Sequence, residues 1–345
     1  MIFMPDDGIT MSLHILSDRK KVSHMHRGRK IAIIGAGNVG ATIAFTLTTA
    51  ALATEIVLID IAHEKARGEA MDIIQGTPFC APVDIYAGDY SRVIDADIVI
   101  VTAGAARKPG QTRIDLAQGN INIMNAIMPE IVQRAPFAVY IVVSNPVDIL
   151  TYHISKHFGL NERQVIGSGT MLDSARLRSA LASHVDVNPN NVHGYVFGEH
   201  GDTSMVPWSL TNIAGMTMDQ YCEHACLEAA RCGRAALRSI VEDVRTAGAK
   251  VIQTKGATYY AIALAIKRVV ECIAQDANSV LTVSAMINNR YGISDVCLSL
   301  PFVIGAHGIE RELTPPLTDE EIGQLKASAE ALKSVIASVD FGQGK

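Results

Sequence analysis

At 345 residues the chain is long enough for two lobes sharing one continuous body. Hydrophobic residues make up 48% and charged residues 19%, which excludes a disordered or solvating protein and fits a globular enzyme. A formal net charge of -5 excludes a general polyanion binder, so neither DNA nor RNA is an expected partner.

Residues 1–29 mix Asp, Lys, Arg, His and Met without a long apolar run, which fits neither a secretory signal nor a membrane span. They read as a flexible N-terminal extension, with Met11 and Met25 as alternative starts and no assigned chemistry. Cys80, Cys222, Cys226, Cys232, Cys272 and Cys297 are scattered without C-x-x-C pairs, which points to reduced thiols and a cytoplasmic location. A metal site from Cys222, Cys226 and His224 fails on geometry, because His224 would point about 160° away from the cysteine face of a helix. No metal is expected.

From Lys30 onward, β-branched runs alternate with amphipathic or Ala-rich stretches: IAIIG at 31–35, EIVLID at 55–60, DIYAGD at 84–89, DIVIVTAG at 97–104 and FAVYIVVSNP at 137–146, each with a helix expected after it. Continuous apolar strands of this kind predict a parallel sheet covered on both faces. The fold class is therefore α/β, a Rossmann-type doubly wound parallel sheet over 30–167. It is followed by an α+β catalytic domain over 168–345, with long helices at 217–247 and 257–274, strands at 280–287 and 296–304, and a last helix after the capping box of Thr318 and Glu321.

Gly35-Ala36-Gly37-Asn38-Val39-Gly40 closes the first strand and opens a helix, the context that makes G-x-G-x-x-G a dinucleotide signal. Gly35 permits the turn, Gly37 lets the backbone approach a pyrophosphate, and Gly40 allows close helix packing at an anion-favouring N-terminus. Asp60 ends the second strand, where a carboxylate accepts ribose hydroxyls and repels a 2′-phosphate, so NAD is expected over NADP. Thr102, Ala103 and Gly104, and then Ser144 and Asn145, lie on the same carboxyl edge of the sheet.

Three further segments are rich in polar groups: ARKPGQTR at 106–113, GTMLDSAR at 169–176 and VFGEHGDTS at 196–204. Together with GAGNVG and SNPVDILTY at 144–152, they resemble the lactate/malate dehydrogenase family, most closely its L-lactate dehydrogenase branch, from about Lys30 to the C-terminal helix. The resemblance implies an NAD-dependent enzyme that moves a hydride between nicotinamide and the C2 carbon of a small L-2-hydroxy acid, within pyruvate metabolism and glycolytic fermentation. His200 resembles the family's catalytic histidine, which gives a proton to a ketone oxygen and takes it back in the reverse direction. Asp173 resembles its carboxylate partner, which holds the imidazole tautomer and favours the protonated form.

Arg176 lies three residues after Asp173, on one helix face, and its fork suits the C1 carboxylate of the substrate. Arg113 corresponds to the arginine of the family's mobile loop, where a cation polarises the carbonyl after closure. Asn145 resembles the residue that hydrogen-bonds the reacting oxygen, and Thr258 in KGATYYA resembles a pocket-wall hydroxyl. Arg178 and His193 match the basic pair through which many bacterial lactate dehydrogenases bind fructose 1,6-bisphosphate between subunits. The resemblance also implies a homo-oligomer, a tetramer in the lactate branch.

The sequence departs from the lactate pattern at Arg107, where lactate dehydrogenases usually place glutamine and malate dehydrogenases arginine. A cation closed over the methyl of pyruvate would be buried unpaired, whereas the second carboxylate of oxaloacetate would pair with it. About 2.7 kcal/mol suffices for a hundredfold preference, so this one side chain favours oxaloacetate and L-malate, with pyruvate and L-lactate as the alternative. Two rival classes are an NAD- and metal-dependent glycosidase, whose metal-ligand cysteine and histidine find no place in this sequence's motifs, and a non-catalytic NAD-binding protein. Retention of Arg113, Asp173, Arg176 and His200 together argues against the second.

Overall fold

The computed structural model describes residues 28–106, 110–225 and 233–342. Nine of its strands form one sheet in the order β12-β11-β10-β6-β5-β4-β1-β2-β3. The first six are β1 (Lys30–Ile34), β2 (Glu55–Ile59), β3 (Asp84–Ala87), β4 (Ile98–Val101), β5 (Val139–Val142) and β6 (Val165–Gly167). They pair in parallel throughout, for example Ile33 with Leu58 on one side and with Ile100 on the other. Every residue of β4 and β5 is buried, as expected of strands with helices on both faces.

Helices α1 (Asn38–Thr49), α2 (His63–Gln75), α3 (Arg113–Arg134) and α4 (Val147–His157) follow β1, β2, β4 and β5. DIYAGD departs from expectation: β3 is followed by a single 3-10 turn, Tyr90–Val93, which leads straight into β4. The Asp89 carboxylate caps that turn by accepting from the Ser91 amide at 2.8 Å, and β4 begins at Ile98, five residues after the turn ends.

The second half begins with α5 (Met171–Val185) and a small antiparallel sheet of β7 (Val192–His193), β8 (Asn212–Ile213) and β9 (Met216–Thr217). In place of one helix over 217–247 stand α6 (Met218–His224) and α7 (Arg234–Lys255). Thr217 starts α6 with a capping box closed by Gln220, and Cys226 and Cys232 lie outside the described residues. After α8 (Tyr260–Ala274) come β10 (Ser279–Ile287), β11 (Val296–Gly305) and β12 (Gly308–Glu312), then α9 (Asp319–Ser338). The Thr318 hydroxyl accepts from the Glu321 amide at 3.3 Å and Glu321 accepts from the Thr318 amide at 2.9 Å, the reciprocal cap read in the sequence.

β10 joins the parallel sheet antiparallel to β6 at Ser284 and Gly167, so both halves share one sheet. A continuous core runs from Ile31 and Leu58 through Tyr140 to Phe302 and Leu332. A second cluster, including Leu177, Ile213 and Val244, joins α5, the small sheet and α7. Among the described residues no helix is long and apolar enough to cross a membrane.

Candidate active site

The chain order of the parallel strands reverses between β1 and β4, so the carboxyl ends of these neighbours form the crevice where α/β sheets bind ligands. Gly35 leaves β1 with φ of 105°, a left-handed conformation that favours glycine, and a Cβ there would press on Ala103 and Thr102. A Cβ at Gly40 would overlap the Gly35 carbonyl oxygen, whereas one at Gly37 would meet nothing within 4 Å. The protein thus leaves space on the Gly37 side, at the N-terminus of α1, which has no side-chain cap. Asn38 is exposed there and Val39 half-buried.

Asp60 accepts from the Ala36 amide at 2.6 Å through one oxygen and from the Ala62 amide at 2.8 Å through the other. Each oxygen keeps a lone pair for a ribose hydroxyl. These features fit a dinucleotide. The hydroxyls of Thr102 and Ser144 are turned to the main chain, donating to Gly35 O at 2.8 Å and Ala103 O at 2.6 Å, and so shape the edge on which Gly104 is exposed.

Across this edge lies a cavity of about 330 Å³ whose lining includes Val39, Asn145, Asp173, Arg176, His200 and Thr258. A second groove of about 400 Å³ lies against α2 and β3, lined by residues that include His63, Glu64, Arg67 and Met71, and there Glu64 pairs with Arg67 at 3.3 Å. Asp173 sits in the first turn of α5, and its two oxygens are divided between His200 Nδ1 at 2.6 Å and Arg176 Nη1 at 2.8 Å. That arrangement leaves Nε2 as the free ring nitrogen of a side chain that is 29% exposed. Burial acts to lower the His200 pKa, but the hydrogen bond and charge of Asp173, helped by Asp148, outweigh it and the pKa is raised. Burial acts to raise Asp173, but His200 and Arg176 outweigh it and hold the carboxyl below its ordinary value.

Asn145, joined to Pro146 by a cis bond, precedes α4. Thr258 lies in the connection between α7 and α8, on the cavity wall. Arg113 opens α3 after the capping box of Thr112 and Asp115, and its guanidinium pairs with the fully buried Glu199, the residue before His200. The Glu199 carboxylate also accepts from the Thr203 hydroxyl. Arg107, the basis of the malate expectation, lies outside the described residues together with Lys108 and Pro109. Arg178 packs away from the cavity, where a Cβ on Gly194 would lie 3.7 Å from its Cγ, and His193 beside it is exposed.

Four contributors escaped the reading of the sequence. Asn120, 1% exposed on α3, accepts from the Ala105 amide at 2.7 Å and donates to Asn145 O at 2.6 Å, tying two parts of the site together. Arg245 on α7 lines the cavity and donates to Ser204 O at 2.6 Å. Asp148 accepts from the His200 amide, and Glu199 serves as counterion to Arg113. A charged residue within the apolar run VDILTYHI was the available signal for Asp148.

Comparison with known proteins agrees with this geometry. The family models for the lactate/malate dehydrogenase NAD binding domain and for the lactate/malate dehydrogenase alpha/beta C-terminal domain match residues 29–167 and 170–340. The chain is 50% identical over 312 residues to an L-lactate dehydrogenase of Thermoanaerobacter pseudethanolicus, covering 90% of this chain and 99% of that one. It is 47% identical over 315 residues to L-lactate dehydrogenase 1 of Clostridium acetobutylicum, covering 91% and 100%. The crystal structure of a minor L-lactate dehydrogenase from Enterococcus mundtii in its ligands-bound form superposes with a TM-score of 0.86 at 37% identity, over 90% of this chain and 98% of that one. The chain therefore belongs to the lactate/malate dehydrogenase family and is an NAD-dependent 2-hydroxy acid dehydrogenase.

Proposed function

We propose that the enzyme interconverts pyruvate and L-lactate, with residues 30–167 carrying the cofactor and 168–345 the acid-base chemistry. The observation that carries this reading is the single cavity in which His200, Asp173, Arg176 and Asn145 meet the carboxyl edge of the sheet. When bound, NADH supplies a hydride to C2 of the keto acid. His200 Nε2 then gives its proton to the C2 oxygen, and Asp173 stabilises the imidazolium beforehand and holds the ring. Arg176 holds the C1 carboxylate, Asn145 hydrogen-bonds the reacting oxygen, Thr258 bounds the pocket, and Arg113, released from Glu199, polarises the carbonyl. Gly35, Gly37, Asn38, Val39 and Gly40 would hold the cofactor, Asp60 would accept from its ribose hydroxyls, and the 102–104 and 144–145 turns would flank it.

The names of the relatives support pyruvate. One feature favours a second reading: Arg107 is the residue a dicarboxylate would require, which makes oxaloacetate and L-malate the alternative. Exposed Phe45, Met71 and Leu264, on α1, α2 and α8, support a homo-oligomer. The Arg178 Nε, buried without a hydrogen-bond partner among the described residues, supports an anionic effector such as fructose 1,6-bisphosphate held by Arg178 and His193.

The test is initial rates of NADH oxidation with pyruvate and with oxaloacetate, with and without fructose 1,6-bisphosphate, in the protein and its Arg107→Gln variant. Pyruvate preference in both proteins supports the lactate reading. An oxaloacetate preference lost on substitution establishes the malate reading, and no oxidation with either acid refutes both.

A further inference from the structure

Asp148 stands in the first turn of α4, only 3% exposed, three residues beyond the substrate-facing Asn145. Its Oδ2 accepts from the His200 amide at 2.8 Å and its Oδ1 from the Ser284 hydroxyl at 2.6 Å. Ser284 is itself fully buried on β10. Among the described residues Asp148 forms no direct ion pair, yet a buried carboxylate without a cation is costly unless its surroundings stabilise charge. Here they do. Two hydrogen bonds reach its oxygens, the N-terminus of α4 favours an anion, and the charges of His200 and Arg113 lie close by. Burial pushes the Asp148 carboxyl upward and leaves its pKa raised, while the two hydrogen bonds and the charges of His200 and Arg113 act against it.

The groups facing His200 come from every side. Asp173 and Arg176 approach from α5, Asp148 from α4 and Arg245 from α7, while Glu199 precedes His200 in the chain and is occupied by Arg113 from α3. Cys297 on β11 stays a neutral thiol, because burial, with Asp148 adding to it, pushes its pKa well up. The imidazole is thus placed between two acidic side chains, one bonded to its ring and the other to its own main chain.

We propose that Asp148 is a positioning residue for proton transfer, which fixes the main chain of His200 and, as a second buried anion, supports the protonated imidazole alongside Asp173. The proposal rests on the reading of His200 as the proton donor. It also gives α4 a double task, since the same helix start presents Asn145 to the substrate and Asp148 to the acid.

The test is Asp148→Asn, in which the amide oxygen still accepts from the His200 N–H and the amide nitrogen donates to Ser284 Oγ, so the geometry survives and the charge is lost. The alkaline limb of kcat/KM for keto-acid reduction is expected to move to lower pH by about half a unit to one unit, and the acidic limb for hydroxy-acid oxidation to move the same way. Histidine NMR, with the His200 signal assigned by its loss in His200→Gln, reads the same shift without turnover. Ser284→Ala, which strips one donor from the carboxylate, gives a smaller shift in the same direction. An unshifted His200 titration in Asp148→Asn, with NADH still bound, overturns the proposal. If that variant does not fold, an unshifted titration in Ser284→Ala overturns it instead. Failure of the underlying reading looks different: the wild-type kinetic limb would persist in His200→Gln, whatever the NMR titration shows.

Discussion

Arg176→Lys separates the two duties placed on one guanidinium. Arg176 Nη1 donates to Asp173 Oδ1 at 2.8 Å, and the rest of the fork lies on the cavity side, where a Cβ built on Gly248 would be 3.9 Å from Nη2. A guanidinium can hold Asp173 and a substrate carboxylate together because its donors diverge in a rigid plane. An ammonium on a shorter reach serves one of them. Loss of one hydrogen bond to a charged group costs about 1.5–3 kcal/mol, which corresponds to a fall in kcat/KM of roughly 10- to 150-fold. The loss should appear mainly in KM for the keto acid, since the carboxylate is bound alike in the ground and transition states. The assay is steady-state NADH oxidation over a pyruvate series, with NADH affinity measured by fluorescence as the control for folding. An unchanged kcat/KM at normal NADH affinity would show that Arg176 serves Asp173 alone.

Asp173→Asn should move the alkaline limb of keto-acid reduction to lower pH and cut kcat by about a hundredfold or more, because the anion that raises the His200 pKa is gone; an unmoved limb contradicts the assignment. The same variant tests linkage. The raised His200 adds stability below about pH 6.5 that is lost as pH rises through its folded pKa, and the lowered Asp173 adds stability above about pH 4 that is lost as pH falls. The Tm difference between wild type and variant should therefore peak between those values, and a difference that is flat with pH would refute it. Asp60→Ala should weaken NADH binding about 10- to 100-fold while leaving NADPH binding no worse, read by fluorescence titration; an unchanged NADH Kd would remove Asp60 from the ribose. Gly40→Ala should lower Tm by several degrees, since the new methyl overlaps the Gly35 carbonyl and overpacking costs about 1–3 kcal/mol. Gly37→Ala, with open space around it, should leave Tm near wild type and still weaken NADH binding; equal Tm losses in the two variants would refute the distinction.

The parallel half of the sheet was legible because burial on both faces leaves a strand no choice but an apolar run, as in IVIV of β4 and VYIV of β5. β6 has three residues and β7, β8 and β9 two each, too short for any period to register. The break between α6 and α7 was hidden by a stretch rich in Ala, Leu and Arg, strong helix formers by composition. In the site, Asp173 and Arg176 were legible as a pair because three residues along a helix fix their neighbourhood. Asp148 and Ser284 are 136 residues apart, and no local rule brings them together.

The contacts that sequence spacing could not supply are also those that make the site one unit. Arg113 begins α3, and Asn120, about two turns further along the same helix, holds both the Ala105 amide and the Asn145 carbonyl. Asn145 in turn leads into α4, whose Asp148 holds the His200 amide. A displacement of α3 therefore cannot reposition Arg113 without loading the Asn120 bonds, and through Asn145 and α4 the load reaches His200. Arg113, Asn145 and His200 are consequently tied together by two helix starts and the hydrogen bonds of Asn120 and Asp148 rather than by three independent loops, which is how groups far apart in sequence can hold a common register.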